Sequence, residues 1–205
     1  MIVGNKIPYE YFITKGKGES NVGSPGLPYE TGSYDAALTS AGIQTANIIE
    51  YTSIIPTHAK EISRKKANLK WGEVLECIKS QTNGSKGEFI SAALMTTSVY
   101  DSNKKYIGGF ACEYSGAGTK KESEIIFKDS LSGIIERRGF GKISNIKLYK
   151  DNVTSTGMII HPGKHFIYDS LNIKKLHGTV LTAICFVSYK IPIKTKTKTK
   201  TKKLR

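Results

Sequence analysis

Asn47-Ile48-Ile49-Glu50-Tyr51-Thr52-Ser53-Ile54-Ile55-Pro56 sets a pair of hydroxyl side chains between two apolar runs and just ahead of a proline. Isoleucines and a tyrosine give residues 46–55 strand character, and Pro56, which has no N–H for a ladder, closes the run. Thr52-Ser53 thus puts a nucleophilic hydroxyl at a strand end, where the backbone must turn. Asn47 and Ser53 are an even number of residues apart, so alternation turns both to one side of such a strand. Read from these residues alone, the pattern also fits an asparagine closing a loop and a serine capping a turn.

Working outward, residues 16–31 (GKGESNVGSPGLPYET) are rich in glycine and proline and read as a loop. A short helix is predicted after it, with Ser33 as N-cap, Asp35 in the first turn and Gly42 as the stop. Downstream, 71–78 and 88–100 read as strands separated by a turn at Gln81-Thr82-Asn83-Gly84-Ser85, and 106–114 as a further strand. Residues 120–138 carry the clearest helix. Thr119 and Glu122 form a capping box, and Ile125, Ile126, Leu131, Ile134 and Ile135 recur at helical spacing. Arg137 and Arg138 suit the negative end of its dipole, and Gly139 ends it. Residues 142–150 read as strand, Pro162-Gly163 as part of an irregular loop, and 177–189 (HGTVLTAICFVSY) as a central strand covered on both faces. The expectation is one α+β domain over residues 1–193 with mixed or antiparallel sheets.

A chain of 205 residues with 39% apolar content can bury one substantial core. No apolar run of about 18 residues is present, so no membrane helix is expected. The N-terminus lacks the pattern of a secretory signal. Cys77, Cys112 and Cys185 are widely spaced, in apolar contexts and without a C-x-x-C, and read as buried free thiols of a reducing compartment, the cytoplasm. Seven of the basic residues lie in the low-complexity tail 194–205, which accounts for half of the +14 net charge. With no aromatic side chain among its lysines, the tail reads as a solvated appendage rather than a nucleic-acid binder.

Four blocks carry a resemblance: YDAALTSAGI (34–43), NIIEYTSIIP (47–56), GGFACEY (108–114) and LTAICF (181–186). In this order they resemble the pyruvoyl-dependent arginine decarboxylases. The Thr-Ser pair and GEVLECI (72–78) look closer to the chlamydial-type bacterial branch than to the archaeal enzymes, which use Ser-Ser. The resemblance implies an αββα sandwich whose chain cuts itself between Thr52 and Ser53, leaving a small chain, 1–52, and a large one, 53–205. Ser53 would become a covalent pyruvoyl cofactor, with Asn47 assisting the cleavage. Asp35 would pair with the guanidinium of L-arginine, and Ile54 would line the substrate site. The substrate would form a Schiff base with the pyruvoyl carbonyl and lose carbon dioxide, and Glu113 would return a proton to give agmatine. The two chains would stay together, in trimers or in dimers of trimers with sites at their interfaces.

Taken on their own residues, Glu113 also fits a surface carboxylate and Asp35 a helix-terminal charge. His161 and His165 have a His-x3-His spacing without a third ligand, so no metal is expected. Pyridoxal phosphate is not required. The glycines at 16, 18 and 23 have no P-loop context, and Ser53 has no G-x-S-x-G around it. Two other readings remain at this point: a pyruvoyl enzyme for a different amino acid, and an unprocessed protein that binds nucleic acid through its basic tail.

Overall fold

In the computed structural model, which describes residues 2–22, 31–142, 146, 148, 153–155 and 157–194, the run 46–55 is divided between two sheets. The elements in chain order are β1 (Ile2–Val3), β2 (Ile7–Ser20), α1 (Thr31–Ala41), β3 (Asn47–Glu50), β4 (Ile54–Ile55) and β5 (Lys60–Glu61). There follow α2 (Arg64–Ala67), β6 (Val74–Ser85), β7 (Phe89–Tyr100), β8 (Tyr106–Gly116) and α3 (Lys120–Arg137). The last described elements are β9 (Val153–Ser155), β10 (Met158–Asn172), β11 (His177–Lys190) and β12 (Ile193–Lys194). One sheet has the order β3-β6-β11-β2-β5, the other β4-β8-β7-β10-β9, and β1 pairs with β12. Both five-stranded sheets are built mainly from antiparallel pairs, with β3 parallel to β6 and β5 parallel to β2. The protein is therefore α+β, with few helices.

Three groups of side chains order these elements. Ile78, Ile184 and Phe186 of the first sheet pack with Ile55, Leu94 and Ala111 of the second, joining the sheets face to face. Period-2 alternation then turns Leu75 and Cys77 of β6 the other way, onto Ala37 and Ala41 of α1. On the second sheet, Met95, Val99, Phe110 and Cys112 meet Phe127, Leu131 and Ile135 of α3. The capping box of α3 forms as predicted, with Thr119 Oγ1 accepting from the Glu122 amide and the Glu122 carboxylate accepting from the Thr119 amide. Its buried stripe is Phe127, Leu131 and Ile135, four residues apart, whereas Ile125 and Ile126 are exposed.

Several local readings are corrected. Residues 16–20, expected in a loop, end β2, and 23–30 lie outside the described residues. The glycines there serve close packing. A Cβ on Gly16 would sit 2.2 Å from the Ala37 carbonyl oxygen, and one on Gly18 2.5 Å from the Ala37 amide nitrogen, so α1 lies directly on the strand. Since those neighbours are backbone atoms, Gly16→Ala should destabilise the fold by about 1–3 kcal/mol, read as a lower unfolding midpoint. Helix α1 begins at Thr31, so Ser33 is not its cap: it is buried, with its hydroxyl 2.8 Å from that of Thr179. Gly42 does end it, at φ +71°.

Residues 81–85 continue β6 because β11 pairs with them through Ser85, and Gly87 (φ +91°) makes the turn instead. Pro162-Gly163 forms a bulge within β10, with the register to β7 shifting between Pro162 and Phe166. The strand expected at 142–150 falls largely outside the described residues, as does the tail beyond Lys194. The three cysteines are free and buried. Among the described residues no helix is long and apolar enough to cross a membrane.

Candidate active site

The Thr52–Ser53 bond lies where the chain crosses from one sheet to the other. On its N-terminal side Glu50 pairs with Cys77 in the first sheet, and the Tyr51 amide donates to the Cys77 carbonyl at 2.7 Å. On its C-terminal side the Ser53 carbonyl accepts from the Ala111 amide at 2.8 Å, and Ile54 and Ile55 pair with Phe110 and Gly109 of β8 in the second sheet. A chain leaving one ladder to join another cannot keep a strand's alternation through the crossing. Thr52 is exposed and Ser53 half-buried.

Within the crossing the Ile54 amide donates to the Thr52 carbonyl at 2.9 Å, a three-residue turn centred on Ser53. That carbonyl is the electrophile in any attack by the Ser53 hydroxyl, and a fixed N–H on its oxygen both polarises it and stands where an oxyanion would develop. The Ser53 hydroxyl donates to the Glu113 carboxylate, with Oγ 2.8 Å from Oε1 and 3.0 Å from Oε2. Glu113 follows Cys112 on β8, opposite Leu94 of β7. Desolvation by the surrounding protein raises its pKa above the ordinary carboxylate value, while hydrogen bonds from the Ser53 hydroxyl and from its own amide pull the other way. The side chain keeps accessible surface, which leaves room for a reactant against it.

The structure brings Ser53 and Glu113 together and shows no hydrogen bond or ion pair from either to Asn47 or Asp35. Asn47 is exposed at the start of β3, and its side-chain amide donates to the Gly72 carbonyl at 3.0 Å. The shared strand face expected for Asn47 and Ser53 is lost because the strand ends at Glu50. Asp35 is exposed on α1, which packs on the first sheet. Ile54 is 45% exposed. A cavity of about 230 Å³ opens beside it, with Phe110, Arg138 and Phe140 in its wall and neither Ser53 nor Asp35. The Arg138 guanidinium there lies over the Phe110 ring, 5.2 Å from its centroid, and would repel a second guanidinium.

The two histidines of the His-x3-His spacing have separate surroundings. His161 stacks on Tyr100 with ring centroids 4.7 Å apart, and His165 Nε2 lies 3.0 Å from a Glu61 carboxylate oxygen. Among the described residues no three His, Cys, Asp or Glu side chains gather as a metal would require. The sequence reading missed the backbone groups that fix the crossing, the Ile54 and Ala111 amides. It also missed Glu76, buried at 4% exposure and accepting a 2.6 Å hydrogen bond from the Tyr51 phenol. A carboxylate amid the apolar residues of GEVLECI was the available signal for it.

A family model described as pyruvoyl-dependent arginine decarboxylase (PvlArgDC) matches residues 10–191. The chain is 29% identical over 199 residues to the pyruvoyl-dependent arginine decarboxylase AaxB of Chlamydia abortus, an alignment covering 93% of this chain and 96% of that protein. Its counterpart in Chlamydia muridarum is 28% identical over 205 residues, with the same shares. The pyruvoyl-dependent arginine decarboxylase of Pyrococcus abyssi is 29% identical over 122 residues, covering 59% of this chain and 74% of that protein. With the match spanning most of its length, the chain belongs to the pyruvoyl-dependent arginine decarboxylase family.

Proposed function

We propose that this protein cuts itself at Thr52–Ser53 and then decarboxylates L-arginine to agmatine. The observation that carries the reading is the Ser53 hydroxyl donating to Glu113 beside a Thr52 carbonyl already held by the Ile54 amide. In the precursor the Glu113 carboxylate takes the hydroxyl proton as Oγ bonds to the Thr52 carbonyl carbon. The Ile54 N–H receives the developing oxyanion, with Asn47 assisting as the family resemblance implies. The C–N bond then breaks, its nitrogen takes a proton, and an ester joins Thr52 to the Ser53 oxygen. Loss of the Ser53 Cα proton and cleavage of the Cβ–O bond release the Thr52 carboxylate. Water replaces the nitrogen left at Ser53, and ammonia departs.

Glu113 changes role because the cleavage consumes its partner. Once the Ser53 hydroxyl is gone, a hydrogen bond that lowered the carboxyl's pKa is gone too, and desolvation raises it further. A base in the precursor thereby becomes an acid in the mature site, able to deliver a proton to the carbon that has lost its carboxylate. The pyruvoyl group supplies a carbonyl that captures the substrate α-amine and draws off the electron pair as carbon dioxide leaves. Asp35 matches the planar guanidinium with two parallel N–H acceptors. Its place on α1, without a described link to Ser53, is met if protomers associate and a neighbour completes the pocket. Exposed Ile125, Ile126 and Ile49 offer apolar surface for a trimer or a dimer of trimers.

The helix-on-sheet and sheet-on-sheet contacts support an αββα layering, and β2 on β11 supports residues 1–52 staying with 53–205 after cleavage. The free, buried thiols agree with a cytoplasmic protein. Substrate identity is tested by Asp35→Ala, which should lower kcat/KM for arginine by about 100-fold or more, the loss of a charged pair, while self-cleavage proceeds normally. Unchanged arginine turnover in that variant would remove the guanidinium-pairing role and favour another amino acid as substrate.

A further inference from the structure

Glu76 lies on the side of β6 that faces the second sheet, and three groups converge on or beside its carboxylate. The Tyr51 phenol donates to Oε2 at 2.6 Å. The Lys6 ammonium is ion-paired with Oε1, and the Tyr189 phenol, which donates to the Phe186 carbonyl at 3.2 Å, stands beside the carboxylate. Lys6 Nζ stands 4.8 Å from the centroid of the Tyr189 ring, and the Tyr51 ring packs on Phe186 at 5.8 Å between centroids. Burial alone pushes the Glu76 carboxyl up, but the hydrogen bonds from Lys6 and Tyr51, with the Tyr189 phenol beside them, outweigh it and leave the pKa lowered, so the group stays charged. A buried charge so completely partnered is costly to disturb.

Its position relative to the chain gives the cluster a purpose. Tyr51 is the last residue fixed in the first sheet, with its amide on Cys77 and its phenol on Glu76; the next residue, Thr52, carries the carbonyl that Ser53 must attack. On the far side the Ser53 carbonyl is fixed to the second sheet by Ala111. The bond to be cut is thus held from both ends, and attack within a five-membered ring tolerates little drift of the carbonyl. We propose that Glu76, acting through the Tyr51 phenol, is a positioning residue for self-cleavage, which aims the Thr52 carbonyl at the Ser53 hydroxyl. The same contact outlasts the cut. Lys6 and Tyr51 belong to the small chain and Glu76 to the large one, so one carboxylate then ties both ends of the small chain to its partner.

This inference rests on the self-cleavage proposed above, and the test separates the two. Freshly synthesised full-length protein is followed by intact mass as precursor converts to two chains. Tyr51→Phe, which removes one hydroxyl and keeps the ring, and Glu76→Gln should each slow conversion at least tenfold. The double variant should be no slower than the slower single one, because both remove one interaction. Melting midpoints measured in an uncut Ser53→Ala background register any loss of stability. Thr119→Ala, which weakens α3 by removing its cap, serves as a destabilised control that should cleave at the parent rate. Parent-rate conversion by Tyr51→Phe, or an equal slowing by Thr119→Ala, overturns the positioning role while self-cleavage stands. A parent protein that never converts overturns self-cleavage and this inference with it.

Discussion

Ser53→Ala should persist as one uncut chain, with no cofactor and no arginine turnover. In the proposed cleavage the Ser53 hydroxyl is the sole nucleophile and the carbon atoms of the residue would become the cofactor, so no neighbour could substitute for it. Thr52 offers a hydroxyl one residue earlier, but its attack on the Tyr51 carbonyl would meet none of the groups that flank Ser53. Those groups are specific: the Glu113 carboxylate on Oγ and the Ile54 amide on the Thr52 carbonyl. The loss should therefore be complete in both cleavage and turnover, whereas the fold should hold, since the substitution removes one half-buried hydroxyl. Circular dichroism matching the parent, with a single band on a denaturing gel, would show the effect to be chemical. Two chains from Ser53→Ala would move the cleavage elsewhere.

Glu113→Gln should slow self-cleavage by about 10²–10⁴-fold, the usual worth of a positioned proton acceptor, because glutamine can accept the Ser53 hydrogen bond without taking the proton. The pH dependence follows from the raised pKa of this carboxyl. If the Glu113 carboxylate is the base, as proposed, the cleavage rate of the parent protein should climb with pH through a midpoint above the ordinary value of 4.5 and then level off. With Glu113 as the proposed proton donor of the mature enzyme, turnover should fall as pH rises through a midpoint that lies higher still. Glu113→Gln should flatten the first profile. Stability carries the same sign. A carboxyl bound more tightly to its proton in the folded state stabilises the fold fully below its unfolded pKa, and this contribution is lost as pH rises through the folded one. The glutamine variant should lack that loss. A parent cleavage rate independent of pH across this window would exclude Glu113 as the base.

Much of the fold was legible where one local rule sufficed. The T-K-K-E box started α3, and the apolar run of β11 marked a strand covered on both faces; it pairs with β2 and β6. Other elements depend on partners that no local rule sees. Asn83-Gly84 is a strong turn signal, yet β11 draws both residues into its ladder. The glycines of β2 look like loop residues, and their small size is instead what lets α1 approach. At the site, the block NIIEYTSIIP marked the bond but not the change of sheet within it, so the alternation argument for Asn47 and Ser53 failed. Glu113 came from the family resemblance, since a lone carboxylate after an apolar run does not reveal that a serine sixty residues earlier will reach it. The backbone donors on Thr52 and Ser53 have no side-chain signature at all.

The most direct test of the account is the denatured intact mass of the purified protein. Self-cleavage at Ser53 predicts two chains, the smaller about 5.7 kDa by its share of the 22.5 kDa total. It also predicts that the larger chain is lighter by one ammonia than residues 53–205 beginning with serine. A single chain of 22.5 kDa, in protein that is folded and fully incubated, would contradict it.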